Sequence, residues 1–146
     1  MEEGAVPIYF DGLCPLLQVF DMPKSVKFYR EVLGFELVGH SPMVKSSEGE
    51  YFHWAMLRRG STTLMLNTAY DEGQRPPAAD PARVAAHGDT ALFFGCPDVD
   101  ATYHDLLPFG VTMLEKPMTT GYGMRRFAIA DPDGYNLCFQ GPVRKQ

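Results

Sequence analysis

No apolar run in this chain approaches the roughly 20 residues that a membrane span needs. The opening Met1-Glu2-Glu3 is acidic where a secretory leader would be basic. Neither a membrane partner nor export is expected. Cysteine is sparse: Cys14, Cys96 and Cys138 are an odd number with no CxxC spacing, which argues against a disulfide framework or a zinc ribbon. A reducing cytoplasm is the expected location. Basic clusters are also lacking. Against 18 Asp+Glu there are 13 Lys+Arg, the net charge is −5, and the densest basic pairs are Arg58-Arg59, Arg125-Arg126 and Arg144-Lys145. Such pairs cannot replace counterions along a phosphate backbone, so nucleic acid is excluded as a partner. The serines stand in no nucleophile elbow, and no glycine-rich phosphate loop follows a strand.

What the chain does have is an internal duplication. Residues 15–35 and 90–111 each run from a short apolar stretch through an Asp into an amphipathic segment that ends in aromatic and Gly punctuation. Leu64-Met65-Leu66-Asn67 matches Leu137-Cys138-Phe139-Gln140, and Trp54-Ala55-Met56 matches Phe127-Ala128-Ile129, both at one constant offset. Asp21 and Asp98 correspond at a slightly larger one. A repeat of this length decides architecture before any site can be located.

Asp21 stands at an N-cap position with Pro23 in the first turn, and Val26, Tyr29, Val32 and Leu33 fall on one helical face before Gly34 stops it. Asp98 begins a second helix that carries Val99, Tyr103, Leu106 and Leu107 and runs to about Phe109. Strands are predicted at 13–20, 35–38, 51–57, 62–67, 90–94, 111–114, 125–130 and 135–140, with turns at Arg58-Arg59-Gly60-Ser61 and Asp131-Pro132-Asp133-Gly134. The spacing of the Asp131/Asp133 pair indicates a turn rather than acid–base catalysis. Residues 68–88, rich in Pro, Ala and charge, form a connector. The expected fold class is α+β: one domain over 1–146, made of two tandem βαβββ modules at about 10–67 and 89–141. They would form a curved, barrel-like mixed sheet with helices outside and a cleft within.

The spacing Asp21-x-x-Lys24-Ser25-Val26-x-Phe28-Tyr29-x-x-x-Leu33-Gly34-Phe35, with the closing hairpin from Tyr122 through Asp131-Pro132-Asp133-Gly134 to Leu137, resembles the vicinal oxygen chelate superfamily. That group includes glyoxalase I, bleomycin resistance proteins, fosfomycin resistance enzymes and extradiol dioxygenases. The resemblance implies metal ligands at inward strand positions, which here are Cys14, Met65, Asp89 and Cys138. A divalent first-row metal needs imidazole or carboxylate at most of these. Only Asp89 qualifies, and His87 could be brought in by a shift of register. Asp89 and His87 are therefore the candidates for a catalytic acid or base. No metal site is expected, with a divalent metal left open as a cofactor. Cys14, Cys138 and Met65 would suit a soft metal such as Cu(I), although small buried thiols more commonly fill a core.

A cleft without metal would be lined by Tyr51, Trp54, Phe93, Tyr122 and Phe127, with Gln18, Asn67 and Gln140 as its polar groups. Phe93 and Phe127 suit ordinary packing, whereas Trp54 (the only tryptophan) and Tyr122 are better placed to stack on a planar or cationic ligand. Tyr122 stands where bleomycin resistance proteins, which this segment resembles, carry an aromatic that stacks on the drug. The cleft candidates are Cys14, Gln18, Trp54, Met65, Tyr122, Cys138 and Gln140. The expected function is metal-free binding of a hydrophobic or cationic small molecule, of the drug-sequestering type, by a homodimer. The alternative is a divergent lyase, isomerase or dioxygenase with an unusual metal set or a metal-free acid or base.

Overall fold

The computed structural model describes residues 4, 7–46 and 49–143. The acidic start Met1–Glu3 and the basic pair Arg144-Lys145 lie outside the described residues. The first half contains β1 (Leu16–Val19), α1 (Met22–Lys27) continuing through a π-helical turn (Phe28–Val32), β2 (Glu36–His40), β3 (Val44–Ser46), β4 (Gly49–Tyr51), β5 (Trp54–Arg59) and β6 (Thr62–Thr68). A connector helix, α2 (Pro81–His87), leads to the second half: β7 (Ala91–Gly95), α3 (Val99–Leu106) with a 3-10 turn (Leu107–Phe109), β8 (Thr112–Thr119), β9 (Met124–Ala130) and β10 (Asn136–Pro142).

Each helix starts where its sequence supplies a side-chain acceptor for the orphan amides of the first turn. Asp21 accepts from the Lys24 N–H at 3.2 Å, Asp98 from Ala101 at 3.1 Å and Asp80 from Ala82 at 3.0 Å. Gly34, with φ of +76°, adopts the left-handed conformation that ends the first helix.

The duplication is visible in the pairing. The strands of the first half are ordered β1-β6-β5-β2 and those of the second β7-β10-β9-β8. Both sheets are mixed: β1 runs parallel to β6 and β7 parallel to β10, and the remaining pairs are antiparallel. Ten strands and three helices among the described residues thus make an α+β fold of curved sheets, with no closed barrel. Two elements were not expected. The β3–β4 hairpin adds strands to the first half alone, and the connector is partly helical because Asp80-Pro81 caps an Ala-rich turn.

Register corrects one part of the sequence alignment. Met65 pairs with Met56 and Cys138 with Ala128, so the counterpart of Met56 is Ala128 and not Ile129. Trp54 is accordingly matched to Arg126 and not to Phe127. A slip of one residue moves every side chain to the opposite face. Phe127 is fully buried, whereas Trp54 is half-buried on the other side of its sheet.

One face of each sheet is closed by its own helix. Leu17, Val19, Leu57, Leu64 and Leu66 of the first sheet and Phe127, Ile129 and Leu137 of the second are almost wholly buried. With Val26 and Tyr29 of the first helix and Val99 and Leu106 of α3, they belong to one continuous core. The opposite faces remain open, with Leu16 at 46% and Phe93 at 59% exposure.

Candidate functional site

Alternation along the strands brings most of the candidate residues onto these two open faces. On the first sheet, Gln18, Asn67 and Trp54 form one row across three strands, and Leu16, Met65 and Met56 form the next. Cys14, just ahead of β1, lies with its Sγ 4.0 Å from Met56 Sδ. This is a half-buried surface of sulfur, indole and carboxamide groups.

On the second sheet, Phe93, Cys138, Ala128 and Glu115 share one row, and Gly95, Gln140, Arg126 and Met118 the next. A polar network crosses it. The Tyr122 hydroxyl donates to Gln140 Oε1 at 3.0 Å, and Arg126 Nη1 donates to the Tyr122 hydroxyl oxygen at 3.4 Å. Arg126 also reaches Glu115 through Nε at 2.8 Å and Nη2 at 3.4 Å. That fork fixes a guanidinium plane beside a phenol ring that is itself 64% exposed.

Arg126 and Glu115 are absent from the sequence-based candidates, where Arg125-Arg126 counts only as a basic pair. Alternation supplies the missing signal: adjacent strand residues point to opposite faces. Arg125 turns to Asp100 on α3 (2.9 Å), and Arg126 turns to the open face.

The candidate acid–base pair sits at the end of α2 and in the turn after it, off the strands. Asp89 is exposed in the turn between α2 and β7, where its N–H donates to the Ala86 carbonyl. His87 closes α2 and opens no strand. Its Nδ1 lies 2.7 Å from the Asp133 carbonyl oxygen, and its ring stacks on Tyr135 at 4.1 Å and 10°. Both side chains are thus away from the open sheet faces. Tyr51 and His53 flank a separate cleft of about 330 Å³, together with Phe20, Thr68 and Tyr70. His53 Nδ1 meets the Thr68 hydroxyl at 3.1 Å, and its Nε2 is buried without a partner among the described residues.

The donors at the expected metal positions do not fit a divalent first-row ion. They comprise two thiols, a thioether and the distant Asp89, and among the described residues no three His, Cys, Asp or Glu side chains converge. Burial pushes the Cys138 thiol above its ordinary range, with Arg126 opposing and Glu115 assisting. A thiol held protonated is neither a ready ligand nor a nucleophile.

The carboxylates that are strongly perturbed serve as structure. Asp131 and Asp133, at 5% and 4% exposure, fold the β9–β10 turn against the first half. Asp131 Oδ1 accepts from the Asp133 and Tyr135 amides at 2.9 Å each. Burial lifts Asp131 to about 6 despite these bonds, and lifts Asp133 in the same direction.

A model of the Glyoxalase/Bleomycin resistance protein/Dioxygenase superfamily matches residues 13–139. The bleomycin resistance protein of Geobacillus stearothermophilus is 30% identical over 131 residues, covering 86% of this chain and 92% of that protein. Bleomycin resistance proteins of Staphylococcus aureus match to the same degree. Among solved structures, TnmS3, an antibiotic binding protein from Streptomyces sp. CB03234, is similar at 26% identity and a TM-score of 0.65, covering 93% of this chain and 99% of that one. A glyoxalase/bleomycin resistance protein/dioxygenase from Nocardioides shares the fold at 17% identity and a TM-score of 0.68, covering 97% of this chain and 89% of that one.

Proposed function

The chain belongs to the Glyoxalase/Bleomycin resistance protein/Dioxygenase superfamily, and we propose that it works by stoichiometric capture of a drug-sized, planar hydrophobic or cationic small molecule. The observation that carries this reading is the composition of the two open sheet faces. Trp54 on one and Tyr122, which reaches the other from the turn between β8 and β9, offer flat rings, and Gln18, Asn67, Gln140 and the Arg126–Glu115 pair offer directional hydrogen bonds. No nucleophile lies beside a base there among the described residues, and Cys138 is held as a neutral thiol. Such a surface binds by stacking and shape without a bond-breaking step. The family resemblance to bleomycin resistance proteins and to an antibiotic binding protein supports the same reading.

Capture requires a closed cleft, and the candidate residues are split between two faces that each remain open. A second copy of the chain would cover them. Leu16, Phe93, Leu114 and Met118, all 37% or more exposed, form the apolar rim that such a homodimer would bury. In that dimer Cys14, Gln18, Trp54 and Met65 from one protomer would face Tyr122 and Gln140 from its partner, with Cys138, at 4% exposure, in the floor of that face. No metal takes part in this capture.

Because Trp54 is the only tryptophan, its fluorescence reports on the site directly. Titration with bleomycin should quench it in a saturable way with a stoichiometry of one ligand per half-site pair. Catalytic turnover of the bound drug, or unchanged Trp54 emission throughout the titration, would refute simple capture at these faces.

A further inference from the structure

The two halves repeat one another in topology and register, so each contact between halves has a counterpart to be looked for. Against the first half sits the turn Asp131–Tyr135. Asp133 accepts from the Phe20 N–H at 2.7 Å and from the Ser25 hydroxyl at 3.1 Å, and Asp131 accepts from the Tyr29 hydroxyl at 2.6 Å. The Tyr135 hydroxyl occupies the free edge of β1, accepting from Gln18 N–H at 3.1 Å and donating to its carbonyl at 3.2 Å.

The offset that relates Leu16 to Phe93 and Asp21 to Asp98 makes Gly95, Pro97, Thr102 and Leu106 the counterparts of Gln18, Phe20, Ser25 and Tyr29. The element that would rest on them is the β5–β6 turn. That turn is only Gly60 and Ser61, whereas Asp131 to Tyr135 join β9 to β10. The offset that relates Met65 to Cys138 makes Thr62 the counterpart of Tyr135. In place of the plug there is a cleft of about 460 Å³, and Gly95, Pro97, Thr102, Leu106 and Thr62 all line it.

The chemistry of this seat has changed along with its occupancy. Pro97 removes the N–H that Phe20 donates, and Leu106 removes the hydroxyl of Tyr29. The Thr102 hydroxyl is already engaged with the Asp98 carbonyl at 3.0 Å. A carboxylate would find none of the donors that hold Asp131 and Asp133. The walls are aromatic instead: Phe94 and Phe139, stacked at 4.9 Å and 15°, both line the cleft. Its two charged side chains, Arg59 and Asp105, are of opposite sign, and Arg59 is already bonded to the Gly34 carbonyl at 3.0 Å.

We infer that this cleft is a second binding site, distinct from the open sheet faces, which takes an uncharged aromatic molecule of one or two rings. The volume suits such a ligand, and the site exists because a short turn and a threonine stand where the other half has a long turn and a tyrosine.

The test uses the full chain and the neutral naphthalene fluorophore 6-propionyl-2-dimethylaminonaphthalene, followed by its emission and by backbone amide shifts. Expected are saturable binding and shifts centred on Thr62, Gly95, Thr102 and Leu106. Thr62→Tyr, which supplies the missing plug, should weaken binding by about tenfold or more and leave quenching of Trp54 by bleomycin intact. Binding of the fluorophore to Thr62→Tyr as to the parent chain would overturn the inference. So would amide shifts confined to Tyr122, Cys138 and Gln140, or no saturation by about 1 mM. Should Thr62→Tyr fail to fold by circular dichroism, the amide map of the parent chain decides alone. Shifts at the seat without any bleomycin response would sustain this site while removing the capture function proposed above.

Discussion

The Tyr29 hydroxyl donates a 2.6 Å hydrogen bond to Asp131, joining the first helix to the last hairpin across 102 residues of chain. Both groups are buried, Tyr29 completely. Burial, reinforced by the neighbouring carboxylates, raises the phenol well above its ordinary range and keeps it a donor. Tyr29→Phe leaves a buried carboxylate short of one donor and should cost roughly 2 kcal/mol in unfolding free energy. Denaturant unfolding reads this directly, and an unchanged midpoint would show that the bond does not hold the halves together.

The same carboxylate predicts a pH dependence of stability. In the unfolded chain an Asp titrates near 3.9, whereas burial holds Asp131 at about 6 in the folded state. The native state therefore binds more protons between these values. Asp131 contributes most at low pH, and its contribution falls as pH rises through about 6. The upper limit is on the order of 2–3 kcal/mol. Asp131→Asn removes the titration, so its thermal midpoint should rise relative to the parent chain between pH 4 and pH 7. A difference that stays flat across that range contradicts the assignment.

Ligand capture on the open faces makes Trp54 and Tyr122 the residues to remove first. Trp54→Leu and Tyr122→Ala should each weaken bleomycin binding by about tenfold, the loss of one stacked ring. Isothermal titration calorimetry measures both, including the variant without tryptophan fluorescence. Because Tyr122 is 64% exposed, its removal should leave the unfolding midpoint nearly unchanged. Binding that survives both substitutions would move the site away from these faces.

Thiol chemistry separates the three cysteines. Cys14 is half-buried, while Cys96 and Cys138 are buried at 8% and 4% exposure, and Cys138 is further held as a thiol. An aromatic disulfide reagent at neutral pH should modify Cys14 first, with the other two reacting only on unfolding. Peptide mapping of the labelled protein identifies the order, and early labelling of Cys138 would mean that its face opens more readily than its burial implies.

Arg126 supports the Tyr122 ring from beside it and is anchored by Glu115. Glu115→Gln weakens that anchor without removing bulk. The expected result is a modest loss of ligand affinity, about threefold, with no change in fold by circular dichroism. A loss as large as that of Tyr122→Ala would instead place Glu115 in direct contact with the ligand.

Much of this architecture was legible one segment at a time. Asp21 and Asp98 marked two helix starts, Gly34 marked a stop, and Asp131-Pro132-Asp133-Gly134 marked the last turn, because caps and turns depend on residues within a few positions of one another. The duplication announced two equivalent sheets. The connector helix is hidden because its seven residues bury no apolar face and so show no helical periodicity, and the register of β5 differs by one residue from the repeat alignment because the two hairpin turns differ in length.

Local pattern by itself determined the first and last of the three helices, most of the strands, the repeat and the soft residue types at the expected metal positions. Only the tertiary structure decided that His87 stacks on Tyr135 instead of entering a strand, that Arg126 meets Glu115 on the open face, and that Tyr122, from the turn between β8 and β9, reaches Gln140 there. These outcomes turn on which residues meet across distant stretches of chain. Such meetings are settled by the buried turn at Asp131–Tyr135 and by the short one at Gly60-Ser61, and a periodicity read along the sequence does not contain them.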